Sequence, residues 1–250
     1  MPEEIGSTIK NLSNLKETIS GDLKIYSGEY SIDNFSKDIV YVSVAWSGWG
    51  KVSAARTTAR ILSTKYRDKS IDILIFTGVA GAANSNLKQW DIIIPNKLIQ
   101  HDMDARPLFN KNVIPSLKKA EINPLNSWLE WSLSTINESI IKDEYHFFGK
   151  VKTGLVATGD KFIADKSILK DLSSEHPGLQ AVEMEGAAFA QVAFQEKIPW
   201  LVIRVISDEA DHSAAQNFSD FLKEYEHYSW YLINSLLRNF LLAPWADKIN

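Results

Sequence analysis

The sequence predicts a single-domain, three-layer α/β/α fold around a mixed, mostly parallel sheet, on three observations. Six short runs rich in Val, Ile, Leu and Ala read as strands, at residues 39–45, 71–76, 91–95, 150–157, 179–183 and 200–206. Stretches with helical spacing stand between several of them, notably 51–65 and 186–195. Strands alternating with helices imply crossover connections and a sheet covered on both faces. At 250 residues the chain is long enough to bury one large core.

The individual elements follow from local chemistry. Ala54, Ala55 and Ala59 in the first helical stretch, and Ala187, Ala188, Ala190 and Ala193 in the second, favour helix and allow close approach to a sheet. Residues 105–127 carry Pro107, Pro115 and Pro124 among mixed charges and read as a long surface excursion. Asn217, with Asp220 in the following turn, reads as the start of a C-terminal helix over about 217–242, with Pro244 beyond its end. Phe221, Leu222, Tyr225, Tyr228, Tyr231, Leu232, Leu236 and Phe240 give that helix an apolar stripe.

Composition narrows the function. Apolar residues make up 45% and charged residues 23%, an ordinary globular balance. A net charge of −4 offers no electrostatic case for nucleic acid or an anionic membrane. There are no cysteines, which excludes disulfides, thiolate metal sites and a cysteine nucleophile. The opening residues Met1-Pro2-Glu3-Glu4-Ile5-Gly6 lack the apolar core of a signal peptide, and no apolar run approaches the roughly 18–20 residues that span a bilayer. A cytoplasmic protein is the expectation.

The chemistry concentrates at two strand tips. Ala181-Val182-Glu183-Met184-Glu185-Gly186 closes one apolar run, and Ser207-Asp208 closes Leu201-Val202-Ile203-Arg204-Val205-Ile206. In open α/β sheets ligands gather at the carboxyl ends of strands. A carboxyl group half-withdrawn from water there has its pKa raised toward the range useful for proton donation. Position alone leaves Asp208 equally readable as a cap for a following helix.

These residues resemble the 5′-methylthioadenosine/S-adenosylhomocysteine nucleosidases, within the wider nucleoside phosphorylase superfamily. Val182-Glu183-Met184-Glu185 and Ser207-Asp208-Glu209-Ala210-Asp211 carry the likeness. Four further segments support it in order: Ser47-Gly48-Trp49-Gly50-Lys51-Val52-Ser53-Ala54-Ala55, the loop Thr77-Gly78-Val79-Ala80-Gly81, Trp90-Asp91-Ile92-Ile93, and Thr158-Gly159-Asp160-Lys161-Phe162-Ile163. Together they cover most of residues 40–225.

The resemblance implies a nucleoside phosphorylase-like fold and cleavage of the bond between adenine and a 5′-thioribose by water, without metal or organic cofactor. It makes Asp208 the proton donor at N7 of adenine, held by Ser207, and Glu185 the acceptor for the ribose hydroxyls. Met184 packs on the ribose, Phe162 stacks on adenine, the backbone of Ile163 reads the purine edge, and Gly78 and Gly81 allow close backbone approach. Phe218 lines the 5′-thioether pocket. Glu183 is assigned a structural part. Glu4 aligns with the last Glu of the family's Gly-Ala-Met-Glu-Glu-Glu segment, which orients the attacking water. The apolar strand that precedes this segment in the family has no counterpart here, so an upstream start, another anchorage of Glu4 and impaired catalysis all stand open. A homodimer is implied in the same way.

Two departures and two tempting motifs complete the reading. Val79 stands where the family has a serine, and Arg106-Pro107-Leu108-Phe109 differs from better-known members, which leaves the 5′ substituent open. His101-Asp102-Met103-Asp104 has the look of a metal cluster but lacks further ligands at suitable spacing. Ser47-Gly48-Trp49-Gly50-Lys51 lacks the spacing of a phosphate-binding Walker loop. A phosphorylase needs arginines on phosphate; Lys51 and Arg56 are the cations near the Gly-rich turns, beside the apolar Trp49, so hydrolysis is preferred over phosphorolysis. A nucleoside-binding protein without turnover is the remaining alternative.

Overall fold

The computed structural model describes residues 5, 8–32, 38–142, 145–208 and 214–249, with the side chains of 214–219 outside that description. Among the described residues eleven strands form two sheets. β1 (Ser13–Ser20), β2 (Leu23–Ser31) and β3 (Ile39–Ala45) make an antiparallel sheet in the order β1-β2-β3. The second sheet comprises β4 (Leu74–Ala82), β5 (Ile92–Ile93), β6 (Lys97–Gln100), β7 (Glu121–Ile122), β8 (Val151–Lys152), β9 (Leu155–Thr158), β10 (Leu179–Glu183) and β11 (Trp200–Asp208). Its order is β7-β6-β9-β10-β4-β11-β5-β8. The pairs β6–β9, β9–β10, β4–β11 and β5–β8 are parallel, while β6–β7, β10–β4 and β11–β5 are antiparallel, so the sheet is mixed and mostly parallel as expected.

β11 shows why the sheet is covered on both faces. All nine of its residues are buried. Trp200, Val202 and Ile206 point into one core with Phe189 and Ala190 of α4 (Gly186–Gln195), against which Ile61 and Leu62 of α1 (Lys51–Ser63) pack. Ile203 and Val205 point the other way, to Leu129 and Ile136 of α2 (Asn126–Ile141) and Phe221, Leu222 and Tyr225 of α5 (Ala214–Arg238). The strand period of two sends alternate residues to opposite helical layers. Leu172 of α3 (Lys166–Glu175) joins a smaller core with Ile99, Ala157 and Val182.

Several expectations shift. β4 runs on through Thr77–Gly81, which reads as a loop in the sequence, because β11 pairs with it residue by residue from Leu74 to Gly81. The run at 150–157 divides into β8 and β9. Residues 105–127 are not wholly a surface excursion: Ile114 and Ile122 are buried against Leu98 and Val156, and Asn112 Nδ2 donates to the carbonyls of Gln100 and His101 at 3.0 Å each. The C-terminal helix begins at Ala214, so Asn217 is inside it rather than its cap, and it ends at Arg238 with a 3-10 turn at Phe240–Leu242. No described helix is long and apolar enough to cross a membrane.

β3, α1 and β4 form a crossover whose two strands do not pair with each other. Between their facing edges lies a cavity of about 520 Å³, walled by all of β3, by residues 71–77, and by Phe189, Leu237, Phe240 and Trp245. Glu185 and Arg204 stand in its wall as well.

Tyr225 supplies a test of the core. It is fully buried and stacks on Phe221, its hydroxyl has no hydrogen-bond partner among the described residues, and burial drives its pKa up. An unmet buried hydroxyl costs about 1–3 kcal/mol. The Tyr225→Phe variant is therefore expected to unfold at a higher urea concentration than the parent; a lower midpoint would show that the hydroxyl is satisfied in solution.

Candidate active site

Three strand ends converge on one small cavity. β4 contributes Val79, Ala80 and Gly81; β10 and the turn after it contribute Val182, Glu183, Met184 and Glu185; β11 contributes Ser207 and Asp208. Trp49 and the loop residues Lys161, Phe162 and Ile163 close the lining of this space of about 60 Å³. Seven of the residues singled out in the sequence thus meet: Gly81, Phe162, Ile163, Met184, Glu185, Ser207 and Asp208. Glu4 lies outside the described residues. Phe218 falls in α5, with its side chain outside the description.

A bulge aims Asp208. Ile206 pairs with Ala80 and Asp208 with Gly81, leaving Ser207 as the extra residue. Such bulges bend a strand and redirect its side chains. Ser207 is buried, its hydroxyl donates to Asp208 Oδ2 at 2.6 Å, and its carbonyl accepts from Gln89 Nε2 at 2.8 Å. Asp208 retains 7% exposure, so its carboxyl group sits at the boundary between core and cavity.

Glu183 and Glu185 have opposite environments. Glu183 accepts from the Thr158 hydroxyl and from Arg204, and its Oε2 also takes the N–H groups of Glu185 at 2.9 Å and Gly186 at 2.7 Å. It therefore sits at the N-terminus of α4, where the helix dipole favours an anion. Thr158 in turn accepts the N–H of Ala187 at 2.9 Å. Glu185 has a more open arrangement: Oε1 accepts the Gly50 N–H at 2.8 Å and Oε2 lies 3.4 Å from Arg204. Burial pushes the Glu185 carboxyl above its ordinary pKa; the Arg204 charge opposes this, the Glu183 charge adds to it, and the Gly50 N–H opposes it.

Sequence reasoning missed Arg204 and Thr158. Arg204 is 1% exposed, lies 4.7 Å over the ring of Phe76, and faces both glutamates. Its signal was a single cation inside an aliphatic run, since a charge there is buried only with a partner. Thr158 left no such trace, because its role rests on where β9 ends beside β10. Phe162 is half-exposed at 38% beside the buried Ile163, which anchors the loop in the core with Ile99 and Val182. Among the described residues no group of three or more His, Asp or Glu side chains could hold a metal ion.

Glu185 generates a stability prediction. Its pKa is higher folded than unfolded, so the folded state binds more protons between the two values and stability falls as pH rises through that window. Glu185→Gln removes the penalty. Urea unfolding is expected to find this variant more stable than the parent at pH 7, with the difference shrinking as the pH falls from the raised value toward the ordinary carboxylate range of about 4 and gone below it. A difference independent of pH would sink the assignment.

Comparison with known proteins identifies the family of the whole chain. A family model described as the phosphorylase superfamily matches residues 1–238. The 5′-methylthioadenosine/S-adenosylhomocysteine nucleosidase of Staphylococcus carnosus is 30% identical over 240 residues, covering 96% of both chains, and that of Listeria innocua is 33% identical over 234 residues, covering 89% of both. The Neisseria meningitidis nucleosidase in complex with methylthio-immucillin-A superimposes with a TM-score of 0.82 at 29% identity, over 96% of each chain. The futalosine hydrolase of Helicobacter pylori superimposes with a TM-score of 0.80 at 30% identity, over 95% of this chain and 94% of that one. These similarities show that the chain belongs to the phosphorylase superfamily, among its 5′-methylthioadenosine/S-adenosylhomocysteine nucleosidases.

Proposed function

We propose that the protein hydrolyses the N-glycosidic bond of 5′-methylthioadenosine and S-adenosylhomocysteine and releases adenine. The observation that carries this reading is the placement of Asp208 and Glu185, from different strand ends, in one cavity with Phe162. Bond cleavage builds positive charge on the ribose and negative charge in the base. Asp208, oriented by Ser207, gives a proton to N7, so adenine leaves neutral. Glu185 accepts hydrogen bonds from the ribose hydroxyls, and its attraction to the sugar grows as the sugar becomes cationic. Phe162 stacks on adenine beside the backbone of Ile163, Met184 packs on the ribose, and Gly81 lets the backbone approach. Glu4 as the water-orienting base and Phe218 at the 5′ substituent complete the assignment from the resemblance alone.

Water is preferred to phosphate as the nucleophile because the nearby cations are engaged. Lys51 Nζ bonds Asp102 at 2.6 Å, Arg56 bonds Asp22 at 2.5 Å, and Arg204 is held between Glu183 and Glu185. A homodimer and a cytoplasmic location belong to the same reading, from the resemblance alone.

The test is adenine release from 5′-methylthioadenosine with and without phosphate. Release in both buffers supports the hydrolase; release only with phosphate makes the protein a phosphorylase; binding with no release makes it a nucleoside-binding protein. Asp208→Asn is expected to keep ligand affinity and lose turnover by about 10²–10⁴-fold, the usual contribution of a general acid. Near-normal turnover would remove Asp208 from the proton-donor role.

A further inference from the structure

The His101-Asp102 segment, which lines neither cavity, ties two walls of the site together. Asp102 Oδ1 accepts from Lys51 Nζ at 2.6 Å, and its Oδ2 accepts the Asp160 N–H at 2.9 Å. Asp160 Oδ1 accepts the Lys51 N–H at 2.8 Å, closing a ring of three bonds through residues 51, 102 and 160. Both ends of that ring adjoin the site. Lys51 follows Gly50, whose N–H holds Glu185, and Asp160 stands two residues before Phe162. The contacts are close enough to fix the backbone. Gly50 has φ of 86°, and a Cβ there would lie 2.9 Å from Asp160 Oδ1. A Cβ on Gly159 would overlap His101 Nε2, and the His101 N–H bonds the Thr158 carbonyl at 3.0 Å.

We propose that Asp102 is a positioning residue, clamping the turn at residues 49–51 to the loop at 159–163 so that the Gly50 N–H meets Glu185 while Phe162 faces the same cavity. Its bearing on substrate rests on the nucleosidase reading. The side chains of Lys51 and Asp102 are 18% and 31% exposed, so the pair is better shielded than an ordinary surface ion pair. Burial raises the Asp102 pKa, but the Lys51 ammonium and the Asp160 N–H outweigh it and hold the carboxyl below its usual range. The clamp is thus charged at neutral pH.

Amide hydrogen exchange on the free protein tests the clamp without reference to catalysis. In Asp102→Ala, exchange at the Asp160, Lys51 and Gly50 amides is expected to quicken together by about tenfold or more, the loss expected for bonds to a charged group. Asp102→Asn keeps one acceptor and removes the charge; it is expected to show the same pattern more weakly, and it serves if the alanine variant fails to fold. In steady-state turnover of 5′-methylthioadenosine the alanine variant should raise KM about tenfold with kcat within about threefold, the split expected when a residue sets the binding geometry alone. Quickening at Asp160 alone overturns the proposal, as does an unchanged KM where the parent cleaves the nucleoside. A parent that releases no adenine counts against the proposed function and leaves the exchange result to decide the clamp.

Discussion

The buried contact between Arg204 and Glu183 is the constraint from which the site is built. An unpartnered guanidinium in an aliphatic strand would be prohibitively costly, and breaking a buried ion pair costs about 3–5 kcal/mol. Arg204 comes from β11 and Glu183 from the end of β10, with β4 lying between those strands. The pair therefore fixes how far β10 and β11 advance relative to each other. Glu183 then collects the Thr158 hydroxyl and the first amides of α4, so β9 and the helix are set by the same carboxylate. Four elements share one electrostatic anchor.

That anchor leaves Glu185 in a productive frustration. Two carboxylates two residues apart face one cation, and Glu183 takes the greater part of it. Among the described residues Glu185 keeps a distant share of Arg204 and one backbone N–H, and burial lifts its pKa. In the proposed reaction that carboxylate, beside the cavity, is the group that takes the ribose hydroxyls and responds to developing positive charge. Asp208 has the complementary arrangement: Ser207 fixes one oxygen, and the strand bulge sets the carboxyl at the edge of the core. The division of labour proposed for the two acids follows from their surroundings, since their chemistry as free side chains is nearly the same.

Much of this was legible in the sequence because it is written in short-range patterns. β3, β10 and α4 appear at the boundaries their apolar runs suggest, and the two acidic strand tips do meet. Long-range pairing hid the rest. Thr77–Gly81 looks like a loop from its glycines, yet β11 supplies a full ladder that makes it strand. β1 leaves little trace in the sequence because its residues are mostly exposed and carry little apolar pattern. The serines of α2 dilute its helical pattern, although Trp128, Leu129 and Ile136 form its buried face. The role of Asp102 depends on three segments about fifty residues apart, which no local pattern encodes.

The crossover of β3, α1 and β4 has a mechanical consequence. Among the described residues no ladder joins the three-stranded sheet to the larger one. Load between the two sheets passes through α1 and through side-chain ties such as the Tyr30 hydroxyl on Asn234 Oδ1 at 2.7 Å. α1 starts at the turn whose Gly50 amide grips Glu185. A small rotation of one sheet on the other therefore acts as a lever whose short arm ends on that carboxylate, and the stiffness of the whole β1–β3 unit becomes part of the stiffness with which Glu185 is held.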